Sequence, residues 1–496
     1  MLSRVILATL LLGGSPCTRA DLIEGALLID GTGAPGRVMD LRFEGGVVVA
    51  LGELDAAVGE TVVDGAGLVL APGFVDTHSH HDSDDDPLVP AAVTQGITTI
   101  VAGQDGGSHF PLADWYAELE RSPRAVNVAS YSGHGTLRLK VLGDDYQRLA
   151  TASEVELMAD LLAADMESGA LGLATGLEYD PGIYSSTEEV IALARTAKRF
   201  GGRYISHVRS EDRHLEPAYE ELITIGREAD IPVQISHMKL ARRGLWYEAP
   251  RILAALDAAR AEGVEVTGDV YPYEYWSSTM TVLFPERDYT DREEFEYVLT
   301  ELVVPEELII GRFDPQPEYA GLTLAEIAAR REQDPVDTYM ALIAELEAAH
   351  EADPSIRENI VARSMNGDDI AQLLAWPHSN ICSDGSGMGA HPRGHGAFPR
   401  VLARYVREEG VLTLEQAIHK MTHRAAQNVG LHDRGLIAVG APADLVLFDA
   451  ATISDRASFD APHQYSVGVA GVWVNGERVL EDGAPTGARP GRVLRR

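Results

Sequence analysis

The sequence predicts an α/β fold: a TIM-like (β/α)8 barrel, a small β-sandwich domain built from both termini, and an inserted helical segment. Two observations lead there. Between residues 73 and 435, short apolar strand runs alternate with amphipathic helical stretches, the pattern of β-α units around a parallel sheet. Residues 21–72 and 436–496 share another style, short β-rich runs broken by Gly and Asp, and two such ends are expected to pair into one domain. At 496 residues, 45% hydrophobic and 24% charged, the chain is long enough for a barrel with an appendage and too apolar for disorder.

Residues 1–20 read as a signal peptide. Arg4 supplies the positive start, residues 5–12 the apolar stretch, and Thr18-Arg19-Ala20 a cleavage site before Asp21. Export to the periplasm or the medium is expected. Cys17 raises a lipoprotein anchor as the weaker alternative, because Pro16 and Gly13-Gly14-Ser15 fit a lipobox poorly. No later stretch reads as a membrane span. Cleavage leaves Cys382 alone, so no internal disulfide is expected.

The β-rich runs of the first end are 26–29, 47–51 and 62–63, matched at the other end by 443–448 and 467–475. Barrel strand candidates are 68–75, 97–101, 127–131, 171–174, 204–206, 233–236, 264–270 and 379–382, with helices such as 154–167 and 250–262 between them. Residues 285–352 interrupt the alternation with a charged, helix-rich stretch. They read as an insertion on the side where barrels carry their sites, and as a candidate lid. The net charge of −35 repels a phosphate backbone, which excludes nucleic acid as a partner.

A barrel predicts that reactive side chains follow its strands, and here they do. His78 and His80 follow the first candidate, Asp105 the second, His207 and His237 two middle ones, and Asp384 the last. Each has an ordinary use alone, as a polar rim residue or as turn chemistry before Gly. Together they form a donor set suited to one or two divalent cations such as zinc. Cys382 lies inside the last strand candidate, where packing is a better reading than reactivity.

The pattern resembles the amidohydrolase superfamily and, over almost the full length, its N-acyl-D-amino-acid deacylase (D-aminoacylase) branch. The stretches that carry the likeness include Gly133-His134-Gly135-Thr136-Leu137-Arg138, Ser206-His207-Val208-Arg209, Ser236-His237-Met238-Lys239, Asp269-Val270-Tyr271-Pro272-Tyr273, Ser383-Asp384-Gly385 and His391-Pro392-Arg393. The resemblance implies zinc-dependent hydrolysis of N-acyl-D-amino acids or D-residue dipeptides, with Asp384 as general base and then general acid toward a metal-activated water. It implies His207, His237 and Asp105 around the more buried cation, with His78, His80 and Asp384 at a second. One departure stands out: Asp105 occupies a position where well-known members of the branch have a metal-binding cysteine. Glu178 is the alternative bridging carboxylate. A small-molecule substrate with a free carboxylate would meet Lys239 and Arg393, with Tyr271 and Ser277 or Ser278 adding hydrogen bonds. A cyclic-amide hydrolase of the dihydroorotase or hydantoinase kind is the second enzymatic reading, disfavoured because no lysine lies between 171 and 179. A non-catalytic barrel is the third.

Overall fold

The computed structural model describes residues 21–496; the signal-peptide reading lies outside the described residues. Eight successive strand positions of the middle segment run parallel: β1 (Phe74–Asp76), β2 (Ile97–Ala102), β3 (Asn127–Ser130, resuming at Ser132–Gly133), β4 (Gly172–Gly176), β5 (Arg203–His207), β6 (Val233–Ile235), β7 (Val266–Val270) and β8 (Ser379–Ile381). They form two arcs. One holds the first three positions and the other runs from Ser132–Gly133 to β8. Every residue of Ile97–Ala102 is buried, as a parallel strand covered on both faces requires. The last strand meets the first through backbone bonds, Asp384 N–H to the His78 carbonyl at 2.8 Å and His80 N–H to the Gly385 carbonyl at 3.0 Å.

Register brings the strand ends level. Gly176 stands beside His207, Ser206 beside Ile235, and Val270 beside Ile381. The crossover helices start where their sequences supply caps. Thr151 and Glu154 make a reciprocal capping box for Ala152–Glu167, and the Ser186 side chain accepts from Glu189 N–H ahead of Thr187–Arg199.

The stretch 68–75, expected as one strand, is two. Val69–Pro72 belongs to a sheet of the chain ends, and β1 begins after Gly73. A Cβ on Gly73 would stand 2.2 Å from the Thr98 side chain, so only glycine lets the chain pass from one sheet to the other here. That other sheet has nine strands. Its two halves join where Val69–Pro72 pairs antiparallel with Leu445–Phe448, and on its other edge Val69–Pro72 runs parallel to Asp21–Leu28. Ile23, Phe43, Leu70, Leu445 and Trp473 form its separate core.

The insertion also differs from expectation. Besides the helices Arg292–Tyr297, Leu324–Arg331 and Pro335–Ala352 it holds the strand Leu308–Phe313, which joins Glu358–Arg363 and Tyr275–Ser278, outside 285–352, in a three-stranded antiparallel sheet with Glu358–Arg363 in the middle. Leu308–Phe313 and Glu358–Arg363 were hidden because they carry charge. Arg363 sits in a strand with Glu274 and Glu307 both in ion-pair contact. No helix among the described residues is long and apolar enough to cross a membrane.

Candidate metal centre and substrate cavity

Each candidate donor is aimed by the strand before it. After β1, Asp76 is buried and accepts from Ser383 N–H at 2.8 Å and from the Ser383 hydroxyl at 2.5 Å, which fixes the β1 and β8 ends together. His78 and His80 follow in the loop beyond β1. Asp105 lies in a tight turn after β2 between Gln104 and Gly106 (φ 78°), and Asp105 itself has φ 52°. His237 (φ 33°) and Asp384 (φ 49°) are also left-handed. Three such residues at one rim mark a place where the surrounding fold holds the backbone in an unfavourable state, as functional sites often do.

The donors fall into two sets sharing Asp105. On one side, His207 Nδ1 lies 3.1 Å from His237 Nε2, and Asp105 Oδ1 stands 3.3 Å from His237 Nε2 and 3.9 Å from His207 Nδ1. On the other, Asp105 Oδ2 is 3.3 Å from His78 Nε2 and 3.2 Å from His80 Nε2, while Asp384 Oδ1 is 3.6 and 3.3 Å from the same two atoms. Ligands about 2.0–2.2 Å from a tetrahedral zinc are separated by roughly 3.3–3.6 Å; the second set lies close to that spacing, while the first spreads on both sides of it. Asp105 offers one oxygen to each. Glu178 stands outside the two sets, on the far side of His207, with Oε2 at 2.8 Å from Nε2.

An outer carboxylate sets the tautomer of His207, whose Nε2 donates to Glu178 and leaves Nδ1 as a lone-pair donor facing Asp105; His237 Nδ1 lies 2.9 Å from both Glu211 Oε1 and Lys239 Nζ, with Nε2 toward Asp105. The main chain of His237 is held by Asp269, whose Oδ1 accepts His237 N–H at 2.6 Å. Glu211 and Asp269 were missed by sequence reasoning. Glu211 lies four residues after His207 beside Asp212, and nothing in the loop sequence distinguishes which acid turns inward. Burial disfavours charge on Asp105, yet the imidazoles of His78, His237 and His80 outweigh it and hold its carboxyl well below the usual range. Asp384 is likewise held low against its burial, chiefly by Arg393. Burial pushes His207 down to about 4, toward the neutral form that a metal requires.

Beside these sets opens a cavity of about 300 Å³. Lys239, Ser277 and Arg393 line it, as do Glu211 and Asp212. Arg393 Nη1 donates to Asp384 Oδ2 at 2.6 Å, and Lys239 Nζ donates to both Glu211 oxygens at 2.7 and 2.8 Å. Tyr271, expected as a hydrogen-bonding group, does not line the cavity. Its ring lies beneath both cations, 4.8 Å from the Arg393 guanidinium and 5.6 Å from Lys239 Nζ, as an electron-rich face. The Ser277 hydroxyl donates to Asn359 Oδ1 at 3.1 Å.

Comparison with known proteins bears on this arrangement. The pattern of the Amidohydrolase family matches residues 61–301 and 318–480. The chain belongs to the amidohydrolase family. Within it, this amidohydrolase is 37% identical to the D-aminoacylase of Alcaligenes xylosoxydans xylosoxydans, over 96% of this chain and 97% of that one. It is 38% identical to the N-acyl-D-aspartate deacylase of the same organism, over 97% and 96%. The solved structure of N-acyl-D-glutamate deacylase from Bordetella bronchiseptica, complexed with zinc and a phosphonate inhibitor that mimics the tetrahedral intermediate, matches with TM-score 0.86 and 35% identity, covering 97% of this chain and all of that one. Near-equal identity to proteins of three different names leaves the substrate to be read from the cavity.

Proposed function

We propose that this amidohydrolase cleaves the amide bond of N-acyl-D-amino acids, or of dipeptides with a D residue, and that it does so with zinc. The observation that carries the reading is Asp105, which presents one oxygen to each of two donor sets at zinc-ligand spacing. His207, His237 and Asp105 would hold one ion; His78, His80, Asp105 and Asp384 a second. Zinc bound there supplies Lewis acidity, making a nucleophile available from water near neutral pH and polarising the scissile carbonyl. Asp384 takes the proton from the water and passes it to the leaving nitrogen. Arg393 and Lys239 hold the carboxylate of the leaving amino acid, with the Tyr271 ring beneath both and the Ser277 carbonyl against Arg393. Glu178 keeps His207 in the ligating tautomer.

Other elements of the reading stand beside it. The parallel arcs form one closed (β/α)8 barrel over 73–435, and the sheet of the chain ends forms a β-sandwich domain from 21–72 and 436–496. Residues 1–20 direct export. A cyclic-amide hydrolase of the kind that bridges its metals with a carboxylated lysine finds no lysine between 171 and 179. The decisive assay gives the zinc-loaded protein paired L and D enantiomers of N-acetyl amino acids and dipeptides. Release of the free D-amino acid is expected; turnover confined to L substrates or to cyclic amides would overturn the proposal.

A further inference from the structure

The cavity walls go further than the reaction class, to the side chain of the leaving amino acid. This step rests on the deacylase reading. Two basic side chains line the cavity, Lys239 and Arg393. Both already face acids: Lys239 is gripped by both oxygens of Glu211, and Arg393 is paired with Asp384. Asp105 and Asp384 belong to the donor sets. That leaves Glu211 and Asp212 on the wall beside two cations already paired, before the substrate brings its own α-carboxylate.

A second carboxylate, on the side chain, would need further donors, and those beside the apolar wall are turned to other partners. The Ser277 hydroxyl donates to Asn359 Oδ1, Asn359 Nδ2 donates to the Ser278 carbonyl at 3.2 Å, and the Ser278 hydroxyl donates to the Tyr179 hydroxyl at 3.4 Å. The Trp276 indole N–H is satisfied by the Ser364 hydroxyl at 2.7 Å, so the ring acts as an apolar wall. Val282 and Leu283, just before residues 285–352, extend that wall. An acidic side chain would lose its hydration against this apolar wall and lie near like charge.

We propose that the cavity accepts N-acyl-D-amino acids with a neutral, apolar side chain and rejects those with an acidic one. The test measures kcat/KM of the zinc-loaded protein for N-acetyl-D-leucine, N-acetyl-D-glutamine, N-acetyl-D-glutamate and N-acetyl-D-aspartate. Glutamine and glutamate share shape and differ in charge, so their ratio isolates the electrostatic effect. The expected order puts leucine first, with glutamate and aspartate lower than leucine by on the order of 100-fold, and glutamate below glutamine by at least tenfold. Glutamate or aspartate within tenfold of leucine, or glutamate equal to glutamine, overturns the specificity while leaving the deacylase reading intact. No turnover of any of the four removes the deacylase reading and this inference with it.

Discussion

At the residue scale, identity and placement separate cleanly. The residues after strand ends were legible because a parallel barrel leaves few other places for a functional group, and His78, His80, His207 and His237 stand at one rim with Asp105 and Asp384 between them. What the sequence did not show is which acid turns inward from a loop. Glu211 and Asp269 act through contacts made across strands, and no local spacing encodes those. Two substitutions test the assignment. Asp384→Asn keeps the size of the side chain but removes its basicity; kcat should fall about a hundred- to ten-thousand-fold, with the circular dichroism spectrum unchanged. Near-parental turnover would remove Asp384 from proton transfer. Asp105→Ala withdraws an oxygen from both donor sets at once. Plasma mass spectrometry should find less zinc per chain than in the parent, and equal content would take Asp105 out of the ligand set.

At the element scale, the β-α alternation revealed the parallel strands and their helices, because fully apolar strands and capped amphipathic helices carry strong local signals. The segment was read as helical because Leu308–Phe313 and Glu358–Arg363 carry charges, and Arg363 is neutralised by Glu274 and Glu307, far along the chain. One of its strands makes a pH-sensitive joint. Burial raises the Glu358 carboxyl from its ordinary 4.5 to about 7, although Met280 N–H donates to it at 2.9 Å. The unfolded chain releases this proton near 4.5 and the folded chain near 7. Between those values the folded state holds the extra proton, so this stabilisation is complete below pH 4.5 and is lost as pH rises to 7. Partial solvent contact limits the effect to on the order of 2 kcal/mol. Glu358→Gln keeps the acceptor and removes the charge. Its melting temperature should exceed the parent's at pH 8 and match it at pH 5; the same difference at both values would show that Glu358 does not titrate in this way.

At the scale of the whole molecule, the donor sets draw on β1, β2, β5, β6 and β8, so an ion bound there ties together strands from most of the chain. Zinc at a thousand times its dissociation constant would add about 4 kcal/mol to the folded state. Chelation with dipicolinate should therefore lower the melting temperature by several degrees and zinc should restore it; a melting curve indifferent to both would mean that zinc contributes nothing to holding those strands. The sheet of the chain ends carries a different consequence. Val69–Pro72 borders Leu445–Phe448, whose residues emerge only after both parallel arcs have been synthesised. Until then the early strands have an unfilled edge with bare amide and carbonyl groups, and they wait longer than any other strand for a neighbour. Such an edge accepts whatever strand arrives first, including the equivalent one of a second copy. The same pairing that unites the ends of the finished molecule is therefore its main exposure to exchange and aggregation while it is being made.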